Sequence, residues 1–401
     1  MDNHCTTKHT LELAAVVVGG GAAGIAVVGN FLEQLPPNSK IGWIDPFFQG
    51  GRINAKYREV PSNTKVHHFL SYGEGVEPFR KIAETSEKPN AISILKDLPH
   101  DDTCSLQYAG DMLHVLTEGL LKHDRVASFK ASVIDSEWVS QDSVWSLTVQ
   151  DEASKATQCI TAPLVAYCTG AFPTTVPVPD GLSRVPKLLD LDITLKPSLF
   201  AETIPRDQDI CIGVIGASHS AILVLKNIFE LSQKSHPKLR ARWFSRSRKL
   251  KYAVDKGDWI LYDNTGLKGI AAQFAQENLD EDRLLHSDVG KIITRVDCSG
   301  GLQQEKEAYL KEMPGCDYVT QAVGYTTKPL PVKQEVSFNH ETGGFIDPKT
   351  HEPVPGLYGA GIAFPEKVVD PVGNVEYAVG FIKFMRFLKR VVPRWVEPIP
   401  N

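Results

Sequence analysis

The sequence lacks most of what would tie it to a metal, a disulfide framework or a nucleic acid. Its seven cysteines are an odd number, and no two stand at C-x-x-C spacing. That disfavours a secreted disulfide scaffold, a zinc ribbon and a thioredoxin-like dithiol, and no metal site is expected. Basic residues are not in excess: 43 Lys and Arg face 48 Asp and Glu, for a net charge of −5. No broad positive surface for nucleic acid or anionic membrane follows from such a balance, and no aromatic residues interleave with basic clusters. The N-terminus, MDNHCTTKHTLEL, has no basic stretch followed by an apolar run, so no signal peptide is expected and the cytoplasm is the default location. The apolar stretch from Leu11 to Val28 is interrupted by four glycines and begins beside Glu12, which points to strand, loop and helix instead of a membrane span. What remains is an ordinary globular composition, 42% hydrophobic and 23% charged, in 401 residues, long enough for two domains.

The richest segment comes first. Leu13 to Val18 is a short β-branched run of the kind that forms a buried parallel strand. It leads into Gly19-Gly20-Gly21-Ala22-Ala23-Gly24 and a small-residue helix through Gln34, which Pro36 and Pro37 stop. A second apolar strand, Ile41 to Ile44, ends in Asp45. In this βαβ pattern Gly19 permits the tight turn, Gly21 lets the backbone approach a pyrophosphate, and Gly24 lets helix and strand pack closely. The helix N-terminus then offers amides and a positive dipole end to phosphates, and Asp45 stands where a carboxylate accepts hydrogen bonds from a ribose diol. A lone glycine triplet is weak evidence; with both strands and the acid in register, dinucleotide binding is the reading.

From about Ser128 to Gly170 the pattern turns to short alternating strands, a small antiparallel meander ahead of a return strand ending in Tyr167-Cys168-Thr169-Gly170. A proline-rich connection follows, and then the opening pattern recurs. Ile210 to Ile215 is an apolar strand, Gly216-Ala217-Ser218-His219-Ser220-Ala221 opens a helix to about Leu231, and Ala241 to Phe244 is the next strand. Ser218 and Ala221 stand where the second and third glycines would be. The residues after the second strand, Ser245-Arg246-Ser247-Arg248-Lys249, are basic where the first unit has an acid, which suits a 2′-phosphate and hence NADPH. The bland alternative is a solvated turn. Cys316 to Tyr325 repeats the strand-then-glycine ending, and the chain returns through Gly356 to Gly361 to an amphipathic helix expected from about Asn374 to Arg390. The expected fold class is therefore α/β: two Rossmann-like dinucleotide-binding domains, the NAD(P)H domain (about 205–325) inserted into a discontinuous FAD domain (about 1–180 and 326–401) that carries the meander.

Over nearly its full length the chain resembles the two-dinucleotide-binding-domain flavoproteins, and among them the NAD(P)H-dependent flavin monooxygenases of class B type. The resemblance rests on GGGAAG (19–24), the stretch from Asp45 through Gly51-Arg52, SNTK (62–65), YCTG (167–170), GASHSA (216–221), SRSR (245–248) and AVGY (322–325). It implies FAD on Gly19, Gly21, Ala22, Ala23, Gly24, Asp45, Pro46, Gly51, Arg52, Asn63, Val133, Thr169, Gly170 and Gly361. It also implies NADPH on Gly216, Ser218, His219, Ser220, Ser245, Arg246 and Arg248, with no chemical role given to the His219 side chain. Asn63 matches the asparagine that lies over the flavin in these enzymes, where an amide can hydrogen-bond and shield a C4a-hydroperoxyflavin without titrating; the competing reading of Pro61-Ser62-Asn63 is a plain turn. Asn374 and Val375, at the start of the expected last helix, would place amides near the flavin C2 carbonyl.

Three departures mark the chain. Arg52 stands where an aromatic residue often follows the two glycines, as in flavin amine oxidases; the F-x-G-x-W/H fingerprint before the second loop is missing; and Gly361-Ile362 replaces a Gly-Asp pair. The expected partners are a small-molecule substrate and dioxygen, with a homo-oligomer open. The competing functions are an NAD(P)H:acceptor flavin oxidoreductase or oxidase, and a non-catalytic flavin-binding regulator. His67 and His68 are read as loop or packing residues, and Asp255 to Gly269, unusually polar and aromatic, as a substrate-side loop.

Overall fold

A computed structural model describes residues 12–397. The N-terminal stretch read for a leader, Cys5 included, lies outside them. The elements that position the site are, in chain order, β1 (Ala15–Val18), α1 (Ala22–Gln34), β2 (Ile41–Ile44), α2 (Gly51–Lys56), β3 (Pro61–Lys65), β4 (Thr103–Ser105), β5 (Val126–Phe129), β6 (Ala131–Val139), β7 (Val144–Asp151), β8 (Thr157–Ala162), β9 (Val165–Tyr167), β10 (Ile210–Ile215), α3 (His219–Lys234), β11 (Leu239–Ser245), α4 (Gly269–Asn278), β12 (Ile293–Asp297), β13 (Tyr318–Gln321), β14 (Pro353–Gly359), β15 (Glu366–Val369), β16 (Val375–Ala378) and α5 (Phe381–Val396).

Two largely parallel sheets organise the chain. In the first, β14, β9, β1, β2 and β5 lie side by side and parallel, and two short antiparallel strands from residues 337–346 extend the β14 edge. In the second, Lys187–Leu188, β13, β10, β11 and β12 are all parallel. The central strands β1 and β2 are buried on both faces, which is why AVVV and IGWI read as unbroken apolar runs with no alternation. Strands β6, β7 and β8 form a separate antiparallel sheet, alternating inward Trp145, Leu147 and Val149 with partly exposed neighbours.

Each parallel sheet carries its own apolar core. One surrounds α1, with Ile25, Val28 and Phe31 packed among Tyr72, Phe79 and Leu388. The other surrounds α3, with Ile222, Val224 and Ile228 packed among Phe200, Trp243 and Ala275. Helix α5 lies against α1 and seals the first core through Phe381, Met385, Leu388 and Trp395.

The end of the chain departs from the sequence expectation. In place of a helix from Asn374 to Arg390, the structure has the antiparallel hairpin β15–β16 and then α5, which begins at Phe381. Between the strands, Asp370 accepts the backbone N–H groups of Val372 and Asn374 and the side-chain amide of Asn374, and Gly373 takes a φ of +90°, closing a turn that the helical pattern conceals. Gly380, with a φ of +145°, separates the hairpin from the helix. Asn374 and Val375 are thus turn and strand residues, not helix N-terminal donors.

Candidate functional site

Because β14, β9, β1 and β2 run parallel, their C-terminal ends open on one side of the first sheet. Gly19 to Gly21, Asp45, Cys168 to Gly170 and Gly361 therefore converge although they come from distant parts of the chain. The second sheet does the same with Gly216 to Ser218, Ser245 to Arg248 and Ala322 to Gly324. The crevice beyond the carboxyl ends of such strands is where open α/β sheets take ligands.

Backbone packing explains the glycines. Gly19 has a φ of +120°, and a Cβ there would stand 2.3 Å from the Cys168 carbonyl oxygen; one on Gly24 would stand 1.9 Å from the Gly19 carbonyl oxygen. Both are demanded by the fold. Gly21 differs, since a Cβ would meet nothing nearer than the Gly51 Cα at 3.9 Å, and at Gly170 it would meet nothing within 4 Å. These two positions leave bare backbone facing the crevice. Gly51, with a φ of +65°, brings the start of α2 within 2.6 Å of the Gly21 Cα by the same measure, and buried Gly361 packs on the Ala23 side chain.

Both loop helices begin without a side-chain cap: α1 at Gly21 and α3 at Ser218. Their first-turn N–H groups, Ala22, Ala23 and Gly24 in α1 and His219 and Ser220 in α3, together with the dipole end, are suited to anions. Among the described residues one buried side-chain nitrogen or oxygen has no hydrogen-bond partner, Nε of Arg52. Uncapped helices, bare glycines and this spare donor fit a dinucleotide at the first loop.

Asp45 has a second job that the sequence reading missed. Its Oδ2 accepts the Gly20 N–H at 2.6 Å, and its Oδ1 accepts the N–H groups of Phe47 and Phe48 at 2.9 and 2.7 Å. The carboxylate thus shapes the loop itself while keeping further lone pairs for a diol. Pro46 lies in the turn so formed, partly buried. Val133 sits where the β6–β7 register shifts, packed among the apolar residues behind the first sheet. Thr169 is half-buried beside Gly170.

Arg52 reaches away from the glycine loop. Its guanidinium donates to the Asp192 carboxylate at 2.6 and 2.8 Å and to the Tyr57 hydroxyl at 3.0 Å, and lies over the Phe172 ring. Tyr57 in turn donates to Asp192 and stands 3.4 Å from the Tyr325 hydroxyl. The expected contact with phosphate or ring edge is therefore confined to Nε.

At the second sheet the basic segment divides. Ser245 is fully buried, its hydroxyl donating to the Ser247 carbonyl and accepting the Ser247 N–H, so it belongs to the turn and not to the ligand surface. Arg246 and Arg248 project outward with side chains 73% and 74% exposed; Arg246 meets Glu305 at 2.8 Å, and Arg248 meets the Ser299 hydroxyl at 2.9 Å.

Asn63 is exposed on β3, not in a turn, because β3 pairs with β4. Its Nδ2 lies 3.4 Å from Nε2 of His219, the first residue of α3, and its Oδ1 accepts the Thr64 hydroxyl. The same His219 Nε2 accepts the Lys268 N–H at 3.0 Å. Burial, reinforced by the Lys268 charge, pushes the imidazole pKa down to about 4. His68, nearby in sequence, is pushed down to about 4 by burial and by His67. The segment from Asp255 to Gly269 is docked through its C-terminal part, while residues 255–258 are exposed. Asp263 pairs with Lys268 and, at 2.6 Å, with Lys383 of α5, while Glu376 of β16 accepts the N–H of Asn264 and the hydroxyl of Thr265. Spacing in the sequence carries no sign of these long-range pairs.

No protein-family model matches the chain. It is 49% identical over 391 residues to the monooxygenase AgnR1 of Paecilomyces divaricatus, covering 96% of this chain and 98% of that protein. Among solved structures, its fold is similar to that of the ornithine N-hydroxylase KtzI of Kutzneria sp. 744, in a complex with reduced FAD, NADP+ and L-ornithine. That likeness has a TM-score of 0.64 at 13% identity, over 96% of this chain and 99% of that one. A likeness to FAD-bound OTEMO has a TM-score of 0.54 at 13% identity, over 96% and 98% of the two chains. The chain belongs to the same monooxygenase family as its Paecilomyces relative, on the fold that the flavin-dependent N-hydroxylase shares.

Proposed function

We propose that the protein is an FAD-containing, NADPH-consuming monooxygenase acting on the nitrogen, sulfur or carbonyl carbon of a small molecule. The observation that carries this is the pair of uncapped glycine loops at the carboxyl ends of two parallel sheets, in a chain half identical to a monooxygenase. The overall balance is NADPH, H+, O2 and substrate giving NADP+, water and the substrate plus one oxygen atom. FAD, when bound, would supply the two-electron redox chemistry that links NADPH to O2.

The protein's own contribution is to bind, orient and shield. Gly19, Gly21 and Gly24, the first-turn amides of α1, Asp45 with Pro46, Gly51, Val133, Thr169, Gly170 and Gly361 surround the first loop and would hold FAD, with Arg52 offering Nε. Gly216, Ser218, His219 and Ser220 would hold the NADPH pyrophosphate through the start of α3, and the exposed Arg246 and Arg248 would take the 2′-phosphate. Asn63 would give the flavin a neutral hydrogen-bonding neighbour. The composition of the sheets supports a division into an FAD portion (about 1–180 and 326–401) and an NADPH portion (about 205–325), since one sheet draws on residues 15–167 and 337–359 and the other on 187–321.

Purified protein should carry yellow flavin, bleach anaerobically with NADPH and regain colour with oxygen. A flavin-free protein, or one that NADPH does not bleach, overturns the reading. Bleaching with no oxygenated product from any of a panel of amines, sulfides and ketones, and all electrons recovered as peroxide, would make it an oxidase.

A further inference from the structure

His219 carries the second glycine loop to within 3.4 Å of Asn63 on β3, and the contact has a defined polarity. It is the first residue of α3, directly after the Ser218 cap position, so its backbone belongs to the proposed NADPH loop. Its ring does not turn toward solvent with Ser218. It reaches the backbone N–H of Lys268, which it accepts at Nε2 at 3.0 Å. A backbone N–H can only donate, so Nε2 must be the unprotonated nitrogen and the ring must carry its proton on Nδ1. Nε2 has one in-plane lone pair, so any second group that meets it must be a donor sharing that lone pair with Lys268 in a longer three-centre contact. The Asn63 group 3.4 Å from Nε2 is therefore the amide nitrogen, and the carbonyl oxygen of Asn63 faces away, where it accepts the Thr64 hydroxyl.

The neighbouring charges keep this arrangement fixed. Burial of the ring, with the Lys268 ammonium beside it, disfavours a cationic imidazole and keeps the ring neutral, while Asp263 holds both Lys268 and Lys383 in place. Gly269 follows at a φ of +53°, where a Cβ would stand 3.3 Å from the Ser62 carbonyl oxygen; the start of α4 is thereby pressed onto the strand that carries Asn63. Three segments that the sequence presents separately, the second loop, the 255–269 segment and β3, thus converge on one ring nitrogen.

We propose that His219 is a positioning residue that fixes the orientation of the Asn63 carboxamide and so makes the second cofactor loop set the hydrogen-bonding face offered to the first cofactor. This rests on the flavin monooxygenase reading above and deepens it. Asn63 would be a residue touching the flavin side, and His219 would act only through it.

The test uses the flavin-loaded enzyme with NADPH and oxygen as the only probes. His219→Phe keeps ring size but removes the acceptor; His219→Gln keeps an acceptor oxygen. Two quantities are read: amide hydrogen exchange at Lys268, and the rate of hydrogen peroxide release per bound flavin without substrate, which measures how well reduced flavin is protected from wasteful reoxidation. His219→Phe should speed Lys268 exchange and raise peroxide release about tenfold, a change worth about 1.4 kcal/mol, read on flavin reduced to the same extent in each variant; His219→Gln should restore both toward the wild type. Asn63→Ala should raise peroxide release equally without altering Lys268 exchange, and the double variant should be no worse than either single one. Faster Lys268 exchange with unchanged peroxide release would make His219 a mere cap for that amide and overturn the proposal, as would additive effects in the double variant. Should His219→Phe not fold, the comparison of His219→Gln with Asn63→Ala decides by the same criterion. Failure of NADPH to bleach the wild type would instead count against the monooxygenase reading, and Lys268 exchange would still judge the contact.

Discussion

The two glycine loops share one construction down to individual atoms. In each, the first glycine donates its N–H to the carbonyl at the end of the neighbouring strand, Gly19 to Ile44 and Gly216 to Phe244. In each, a Cβ on that glycine would meet a carbonyl oxygen after the next strand over, Cys168 at 2.3 Å and Ala322 at 2.4 Å. In each, a fully buried tryptophan donates its indole N–H to the carbonyl of the first glycine, Trp43 to Gly19 at 2.9 Å and Trp243 to Gly216 at 2.7 Å. The difference comes where the second strand ends. Asp45 turns back to clasp Gly20, whereas Ser245 closes on its own turn and leaves Arg246 and Arg248 outside. A common frame thus presents a negative group at one site and positive groups at the other, and a single turn is enough to invert the charge offered.

The strongest way to break the comparison is to fill the glycines. Gly24→Ala would drive a Cβ into the Gly19 backbone, and the expected outcome is colourless protein destabilised by at least about 3 kcal/mol, read by flavin absorbance and thermal melting. Gly216→Ala breaks the counterpart, and the expected protein is yellow but no longer bleached by NADPH; loss of flavin as well would show that the two loops do not serve separate cofactors. Next in size, Arg246→Ala should raise the KM for NADPH about tenfold, roughly 1.4 kcal/mol of binding, and leave that for NADH unchanged; equal effects in steady-state kinetics would return the segment to a solvated turn. Trp43→Phe and Trp243→Phe each remove one N–H donor and should cost about 1 kcal/mol apiece, measured by denaturant unfolding, the similarity of the two values being the check on the repeat.

The smallest effect is on pH. His219 and His68 have pKa values near 4 in the folded protein, below the usual histidine value near 6.5. The unfolded chain therefore binds more protons between these limits, and stability should fall as pH drops from about 6.5 to 4. His219→Gln should flatten part of that slope in pH-dependent melting.

Much of this was legible from periodicity and punctuation. The strands β1, β2 and β10 and the starts of α1 and α3 follow from apolar runs ended by glycine, because buried parallel strands admit little else. What could not be read is chemistry that joins distant segments. Nothing near Arg52 in sequence announces Asp192, and nothing near Asn63 announces His219. Hairpin β15–β16 is closed by the Asp370 turn, which lies ahead of the expected helix from Asn374 and has no counterpart in its amphipathic pattern. Ser245 stands beside basic residues in the sequence, whereas its position at the end of a buried strand turns its hydroxyl inward.

Gly361 against Ala23 sets an order on biosynthesis. The wall of the first cleft contributed by β14 and Gly361 is made after most of the polypeptide, while the loop it faces is among the earliest segments translated. The N-terminal strands must therefore wait, with one edge of β9 unpaired, until the ribosome has delivered the last tenth of the chain. On the proposed reading, flavin capture would consequently be a late event, and nascent fragments ending before Gly361 should emerge unable to retain it.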